Sequence, residues 1–323
     1  MINKNGKLII SLDFELMWGV RDKRTISGYG KSVIGARKAI PQLLNLFRKY
    51  DIHATWAVVG FLFAKNRREL EEFIPSLLPA YKNDRFSPYR YLKEQVGDSE
   101  RCDPYHFAGS LIDSIAAVKG QEIATHTFSH YYCLEAGQTT EQFRQDLSAA
   151  LAIAHKYEHQ MSSIVFPRNQ YSDDYLAICR QQGIEFFRGN PKSFMYQEKA
   201  QQERSQIVRA LRAIDTVIPI DGYHGGLPQR RCGMVDVPAS RFLRPISKST
   251  SSLRNALSLQ RITNEMEHAA KHGLLYHLWW HPHNFGADTE VNLHYLEKIL
   301  IKFRHLNEQF GMESRCMNEM TVV

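Results

Sequence analysis

Two histidines four residues apart, His126 and His130, follow a short apolar run at 121–127. If the chain turns after that run, both imidazoles can ligate one ion. A single added carboxylate then leaves a coordination position open, which is the pattern of catalytic rather than structural zinc sites. Near the N-terminus, Ser11-Leu12-Asp13-Phe14-Glu15 closes another apolar run. Side chains alternate along a strand, so Asp13 and Glu15 share one face. Two carboxylates there are costly unless a cation or hydrogen bonds compensate. Further on, Phe166-Pro167-Arg168-Asn169-Gln170 supplies an arginine that can pair with Asp13 and hold it ionised, or else sit as a solvated rim charge. The stretch 276–286 ends an apolar run with Trp279, Trp280, His281, His283 and Asn284. His281 is placed to give a proton to a leaving group, with His283 in reserve.

These residues need elements to bring them together. Strand-like runs fall at 7–15, 53–59, 121–127, 163–167, 185–188, 217–220 and 274–280. Helix-like runs fall at 33–50, 109–119, 140–157, 172–182, 197–213, 257–272 and 290–310. Strand alternating with helix implies parallel strands with crossover helices. Seven such units suit a closed or nearly closed α/β barrel, in which functional groups collect at the carboxyl ends of the strands. Two stretches break the rhythm, 66–107 and 222–252, both rich in Pro and Arg. The first offers Arg85, Arg90 and Arg101 for anionic groups and Phe86, Tyr89, Tyr91 and Tyr105 for sugar rings, so it is expected to cover the site as a lid.

Composition narrows the class. The chain has 323 residues, 43% hydrophobic and 23% charged, which excludes disordered and fibrous proteins. Its net charge of +7 is spread thinly, and the basic clusters at 65–68 and 230–231 are too short for a nucleic-acid stripe. No nucleic-acid partner is expected. The five cysteines form no CxxC pair, as reduced thiols would. No run approaches membrane-spanning length, and the apolar stretch 8–12 is too short for a signal-peptide core. The expected location is the cytoplasm; oligomeric state is not legible.

Taken together, Ser11-Leu12-Asp13-Phe14-Glu15, Ala54-Thr55-Trp56, Thr125 to His130, Phe166-Pro167-Arg168 and Trp280-His281-Pro282 resemble the polysaccharide deacetylases of the NodB-homology type, carbohydrate esterase family four. Order and spacing match along nearly the whole chain. Arg188-Gly189-Asn190, the stretch 238–245 and His281 to Gly286 are most similar to bacterial members associated with surface-polysaccharide synthesis.

The resemblance implies one domain over 1–323, a distorted (β/α)7 TIM-like barrel with a long insertion after the second strand at about 66–107. It implies metal-dependent removal of an N-acetyl group from a sugar of a surface polysaccharide or its cytoplasmic precursor, releasing acetate. The sugar would be nucleotide-linked, lipid-linked or polymeric. Asp13 becomes the general base, His126 and His130 metal ligands, Arg168 the group orienting Asp13, and His281 the general acid. A backbone N–H within 128–132 is expected to hold the oxyanion. Typical members carry two adjacent Asp residues, whereas Phe14 follows Asp13 here. Face alternation then favours Glu15 as the third ligand, with Asp13 the alternative. One divalent ion is implied; Zn²⁺ suits the ligand types best, and Co, Mn, Fe or Ni could occupy the site. Substrate contacts are expected from Trp56, Asn169, Arg188, Arg241, Trp280, His283 and Asn284.

Rival readings are an amidohydrolase of a small cyclic amide, a non-catalytic carbohydrate-binding barrel and a glycoside hydrolase. The last needs two carboxylates ~5–9 Å apart across the scissile bond, and no late strand end offers the second.

Overall fold

The computed structural model describes residues 5–191, 215 and 222–322. In chain order these form β1 (Lys7–Phe14), α1 (Ile26–Tyr50), β2 (Ala54–Val58), α2 (Arg67–Glu72), α3 (Pro88–Gln95), α4 (Gly109–Ala116), β3 (Gln121–Thr125) and α5 (Thr140–Lys156). Then follow β4 (Ser163–Ile164), α6 (Asp173–Gln181), β5 (Phe186–Phe187), β6 (Gln229–Arg231), β7 (Met234–Asp236) and β8 (Arg241–Phe242). The chain closes with α7 (Ser252–His272), β9 (Leu275–Trp280), α8 (Pro282–Phe285), α9 (Thr289–Phe310) and β10 (Glu313–Arg315).

One curled sheet runs β6-β7-β5-β4-β3-β2-β1-β9-β8, parallel throughout except for the β6–β7 hairpin, with β10 added to β1. Its two ends meet through a single stretch of chain. After β7 has paired with β5, Val237 and Ala239 donate to the carbonyls of Phe187 and Gly189; Ser240 and Leu243 then donate to His277 and Trp279 on β9. Residues 234–243 thus act as one stave joining both edges. With β1 to β5 and β9 they make the seven staves of a distorted (β/α)7 barrel.

The expected stave at 217–220 and the expected helix at 197–213 lie outside the described residues. The closing stave comes instead from within 222–252, which Gly, Pro and Arg made look like an interruption. The strands after β3 are also shorter than expected. β4 pairs over only two residues, and Pro167, which has no N–H, stands three beyond it. Helix α1 starts at Ile26 rather than 33, because the Thr25 side chain caps it by accepting from the Gly28 N–H.

Alternation decides what faces where. Leu8, Ile10, Leu12 and Phe14 of β1 join the main core beneath the helices, while Ile9 packs inside the barrel with Ala57, Val165, Val237 and Leu275. The same parity carries Ser11, Asp13 and Glu15 inward. On β9, Leu275 is internal whereas Tyr276, Leu278 and Trp280 are external, so His277, Trp279 and His281 point in. Trp56 and Trp280 are therefore not cleft residues, contrary to expectation. Trp56 is buried against Phe14 and Phe47 and donates its indole N–H to Gln121 (2.9 Å); Trp280 stacks on Phe285.

The turn after β9 is fixed by a close backbone crossing. A Cβ on Gly35 of α1 would lie 1.9 Å from the Gly286 carbonyl oxygen, so only glycine lets α1 and α8 touch there. The insertion 66–107 forms α2 and α3 and packs its Phe86, Tyr89 and Leu92 inward.

Candidate active site

Glu15, one residue beyond β1, meets the two histidines that follow β3. Its Oε2 lies 2.9 Å from His130 Nε2 and 3.4 Å from His126 Nε2, and all three side chains are buried. His126 Nδ1 donates to the Val165 carbonyl at 2.7 Å. A neutral ring so bonded carries no proton on Nε2, which leaves that lone pair facing Glu15. His130 Nδ1 sits 3.2 Å from the Tyr132 hydroxyl. Gly19 crosses directly behind Glu15, where a Cβ would fall 1.8 Å from its carboxyl carbon.

The loop carrying the histidines is contorted, with φ of 64° at Thr127 and 59° at His130. Asp146 of α5 holds it there by accepting the N–H groups of Phe128 (2.8 Å) and Ser129 (3.2 Å) and the Ser129 hydroxyl. Tyr131 N–H goes to Thr127 Oγ1 and Tyr132 N–H to Tyr81 Oη. Four of the five N–H groups in 128–132 are thereby engaged, so of the oxyanion donors expected in that stretch the His130 N–H is the one left.

The donor set fits a divalent ion. One ligand atom each from Glu15, His126 and His130 lies within 4.8 Å of the others. Burial pushes His130 down to about 4, so the ring is neutral near pH 7, as a ligand must be. Burial raises the Glu15 carboxyl, but the imidazoles around it, His281 foremost, outweigh that and hold the group well below its ordinary value. A buried carboxylate facing imidazole nitrogens is a place for a cation.

Asp13 lies beside this centre. Arg188 grips it with Nη1 on Oδ1 at 2.6 Å and Nη2 on Oδ2 at 2.8 Å. The same guanidinium donates to Ser11 Oγ and Asn169 Oδ1, both at 3.0 Å, and lies 4.1 Å from the Trp279 ring centre. Burial raises the Asp13 carboxyl, yet the Arg188 charge brings it below the usual carboxylate value. Arg168, expected in this role, pairs instead with Asp22 and Glu135 and lies over the Tyr132 ring. Its left-handed backbone (φ 57°) belongs to a turn on the rim, whereas Arg188 follows β5 on the inward face it shares with Phe186.

His281 Nε2 is 3.7 Å from Asp13 Oδ2 and 3.6 Å from Glu15 Oε1, and its Nδ1 donates to Asn284 Oδ1 at 3.1 Å. His283 stacks on His281 with centroids 5.0 Å apart and meets Tyr29 edge-on. Its Nε2 is 3.9 Å from Glu15 Oε1, and its buried Nδ1 has no hydrogen-bond partner among the described residues. Asn169 and Asn284 line the cleft, whose volume is about 480 Å³. Arg241 borders it too, but its guanidinium turns away onto Glu265 of α7, at 2.8 and 2.9 Å, so it is not the substrate contact expected.

Sequence reasoning missed Trp279, Tyr29, Phe242 and Arg24 as cleft residues. For Trp279 the signal was present, since it shares parity with His281. The lid expectation is also corrected: no residue of 66–107 borders the cleft. Arg85, Arg90 and Tyr91 line a neighbouring groove, while Phe86 and Tyr89 are buried.

The family model for polysaccharide deacetylase matches residues 28–187. No curated protein sequence matches significantly. Among solved structures, one from Mycobacterium smegmatis described as a polysaccharide deacetylase is 12% identical with a TM-score of 0.61, covering 98% of this chain and 89% of its own. A Pseudomonas aeruginosa PAO1 structure described in the same terms is 10% identical with a TM-score of 0.57, covering 98% and 89%. A 4-alpha-glucanotransferase from Thermococcus litoralis is 11% identical with a TM-score of 0.53, covering 98% of this chain and 40% of that one. At such identities the likeness is one of fold.

Proposed function

Since this chain carries a polysaccharide deacetylase domain of the NodB type, we propose that it is a metal-dependent hydrolase removing the N-acetyl group from a sugar of a surface polysaccharide or its cytoplasmic precursor. The observation that carries this reading is the convergence of Glu15, His126 and His130 beside an Arg188-held Asp13 and a hydrogen-bonded His281 in one cleft.

Glu15, His126 and His130 would hold the ion, Zn²⁺ by ligand type, and the ion supplies Lewis acidity toward the amide carbonyl and water. Asp13, kept ionised by Arg188, accepts the proton of the attacking water as the carbon–oxygen bond forms. His281 carries a proton on the cleft side and gives it to the sugar nitrogen as the carbon–nitrogen bond breaks. Without that proton the leaving group would be an amide anion. Asn284 keeps the imidazole turned toward the cleft through its bond to Nδ1. Acetate and an amino sugar leave.

Among the described residues the cleft is bordered by two carboxylates, Asp13 and Glu15, which lie two residues apart on one strand end. That arrangement favours amide over glycoside hydrolysis, which needs acids on opposite sides of the bond. No described helix is long and apolar enough to cross a membrane.

The test is acetate release from N-acetylated oligosaccharides and from nucleotide- and lipid-linked N-acetyl sugars, after metal reconstitution. About one equivalent of ion is expected in the wild type, with both ion and turnover lost in His126→Ala. Acetate release that persists after the metal is stripped overturns the reading.

A further inference from the structure

Below Asp13, inside the barrel, sit two polar residues that the proposed reaction does not touch. Ser11 of β1 and His277 of β9 are fully buried there, on the inward face they share with Ile9 and Leu275. His277 is tied to the closing stave through backbone and ring alike. Its N–H goes to Ser240 Oγ at 2.9 Å, its carbonyl accepts from the Ser240 N–H at 2.8 Å, and its Nδ1 lies 3.2 Å from the Val237 carbonyl oxygen. On the other side of the ring, Nε2 is 2.8 Å from Ser11 Oγ, the same oxygen that meets Arg188 Nη1.

These bonds can run in one direction only. A carbonyl accepts and never donates, so Val237 requires a proton on His277 Nδ1. Burial, reinforced by the Arg188 charge, pushes His277 down to about 3, so the ring is neutral near pH 7 and its Nε2 is a bare acceptor. Ser11 then gives its hydroxyl proton to Nε2, which turns an oxygen lone pair onto Arg188. The arginine needs it. Its Nη hydrogens go to Ser11, to both Asp13 oxygens and to Asn169, while its buried Nε has no partner among the described residues. Without the Ser11 oxygen a further buried donor would be orphaned, on the Nη1 that makes the shorter of the two Asp13 bonds. The opposite ring tautomer would aim a second donor at Ser11 and leave its proton competing with the guanidinium.

We propose that Ser11 and His277 are positioning residues for the base: a one-way chain of hydrogen bonds, from Arg188 to Ser11 to His277 to the Val237 carbonyl, fixes the guanidinium that aims Asp13. The chain ends on the closing stave, so alignment of the base depends on closure of the barrel. Neither residue borders the cleft, so both act through Arg188 and not on substrate or ion. The effect on turnover rests on the deacetylase reading; the order of the bonds does not.

Nitrogen NMR of the full chain, labelled at the histidine ring nitrogens and measured at pH 7, reads the tautomer without any need for turnover. His277, assigned by the signals that vanish in His277→Gln, is expected to carry its proton on Nδ1 with Nε2 bare. A proton on Nε2 overturns the chain of bonds. On metal-loaded protein, Ser11→Ala should lower kcat for acetate release about tenfold, as the loss of one hydrogen bond to a charged group does, with KM and metal content unchanged. His277→Gln, whose amide oxygen can still accept from Ser11, should keep most of the activity. A Ser11→Ala protein that melts earlier but retains full kcat would make the pair a packing feature and overturn the positioning role. A wild type that releases no acetate from any N-acetyl sugar counts against the deacetylase reading alone, since the tautomer still decides the order of the bonds.

Discussion

Arg188 and Asp13 form a two-point pair inside the barrel, with bonds of 2.6 and 2.8 Å between residues separated by most of the sheet. The pair sets both the charge and the direction of the carboxylate. Removing the arginine would strand a buried anion, at a cost of about 3–5 kcal/mol. Arg188→Ala is therefore expected to be unstable as well as inactive. Arg188→Lys is the sharper variant, since it keeps the charge but loses the fork.

For Arg188→Lys, the direction of the pH effect follows from the pair. Asp13 is held below the usual carboxylate value by Arg188, so its basic form persists to low pH. Weakening the pair should move the acidic limb of the rate profile to higher pH and lower kcat by about tenfold or more. Arg168→Ala should leave that limb in place. If instead Arg168→Ala moves it and Arg188→Lys does not, the base is oriented by the rim arginine after all.

Asp146 supports the ligand loop without reaching the cleft. Asp146→Ala would leave the Phe128 and Ser129 N–H groups buried and unpaired, at roughly 1–3 kcal/mol each before relaxation. Melting should fall by several degrees, and metal affinity by about tenfold, as for other outer partners of metal ligands. A variant that melts early yet binds metal as tightly as the wild type would confine Asp146 to a folding role.

What could be read from the sequence divides along physical lines. β1 and β9 carry long apolar runs with polar residues at one parity, so the inward set of Asp13, Glu15 and His281 is legible locally. The same parity, applied to the aromatic residues, puts Trp279 rather than Trp280 in the cleft. The closing stave is different. Its hydrogen bonds go to β5 on one side and β9 on the other, partners about 50 and 40 residues away whose approach no local pattern encodes. Arg168 and Arg188 both end short runs. What separates them is a left-handed turn at Arg168, which is a product of the assembled rim.

His281 and His283 differ in access. The His281 side chain is 23% exposed and hydrogen-bonded through Nδ1, while that of His283 is 4% exposed and lies behind it. His281→Ala is expected to lower kcat by about 10²–10⁴-fold with metal content unchanged. Asn284→Ala should cost less, because it frees the ring without removing it. An active His281→Ala beside an inactive His283→Ala would transfer the acid role to the deeper histidine.

At the other end of β1, Glu313 on β10 ties the C-terminal strand to the barrel. It accepts from Lys7 Nζ at 2.7 Å, from Arg315 Nη2 at 2.9 Å and from Asn5 at 3.2 Å. The Lys7 bond is the largest influence; burial, next in size, opposes it, and Arg315 and Asn5 add to Lys7 to bring the carboxyl from 4.5 down to about 2. A carboxyl depressed on folding contributes stability that is present above about 4.5 and disappears as pH falls toward 2. Because the side chain is 33% exposed, screening leaves a contribution of about 1 kcal/mol rather than the full value of the shift. Glu313→Gln should therefore melt about 2 °C below wild type at pH 7, with the gap closing as pH is lowered from 4.5 to 3 and in high salt. A gap that is constant across that range would mean the glutamate acts through packing of β10 on β1 and not through its charge.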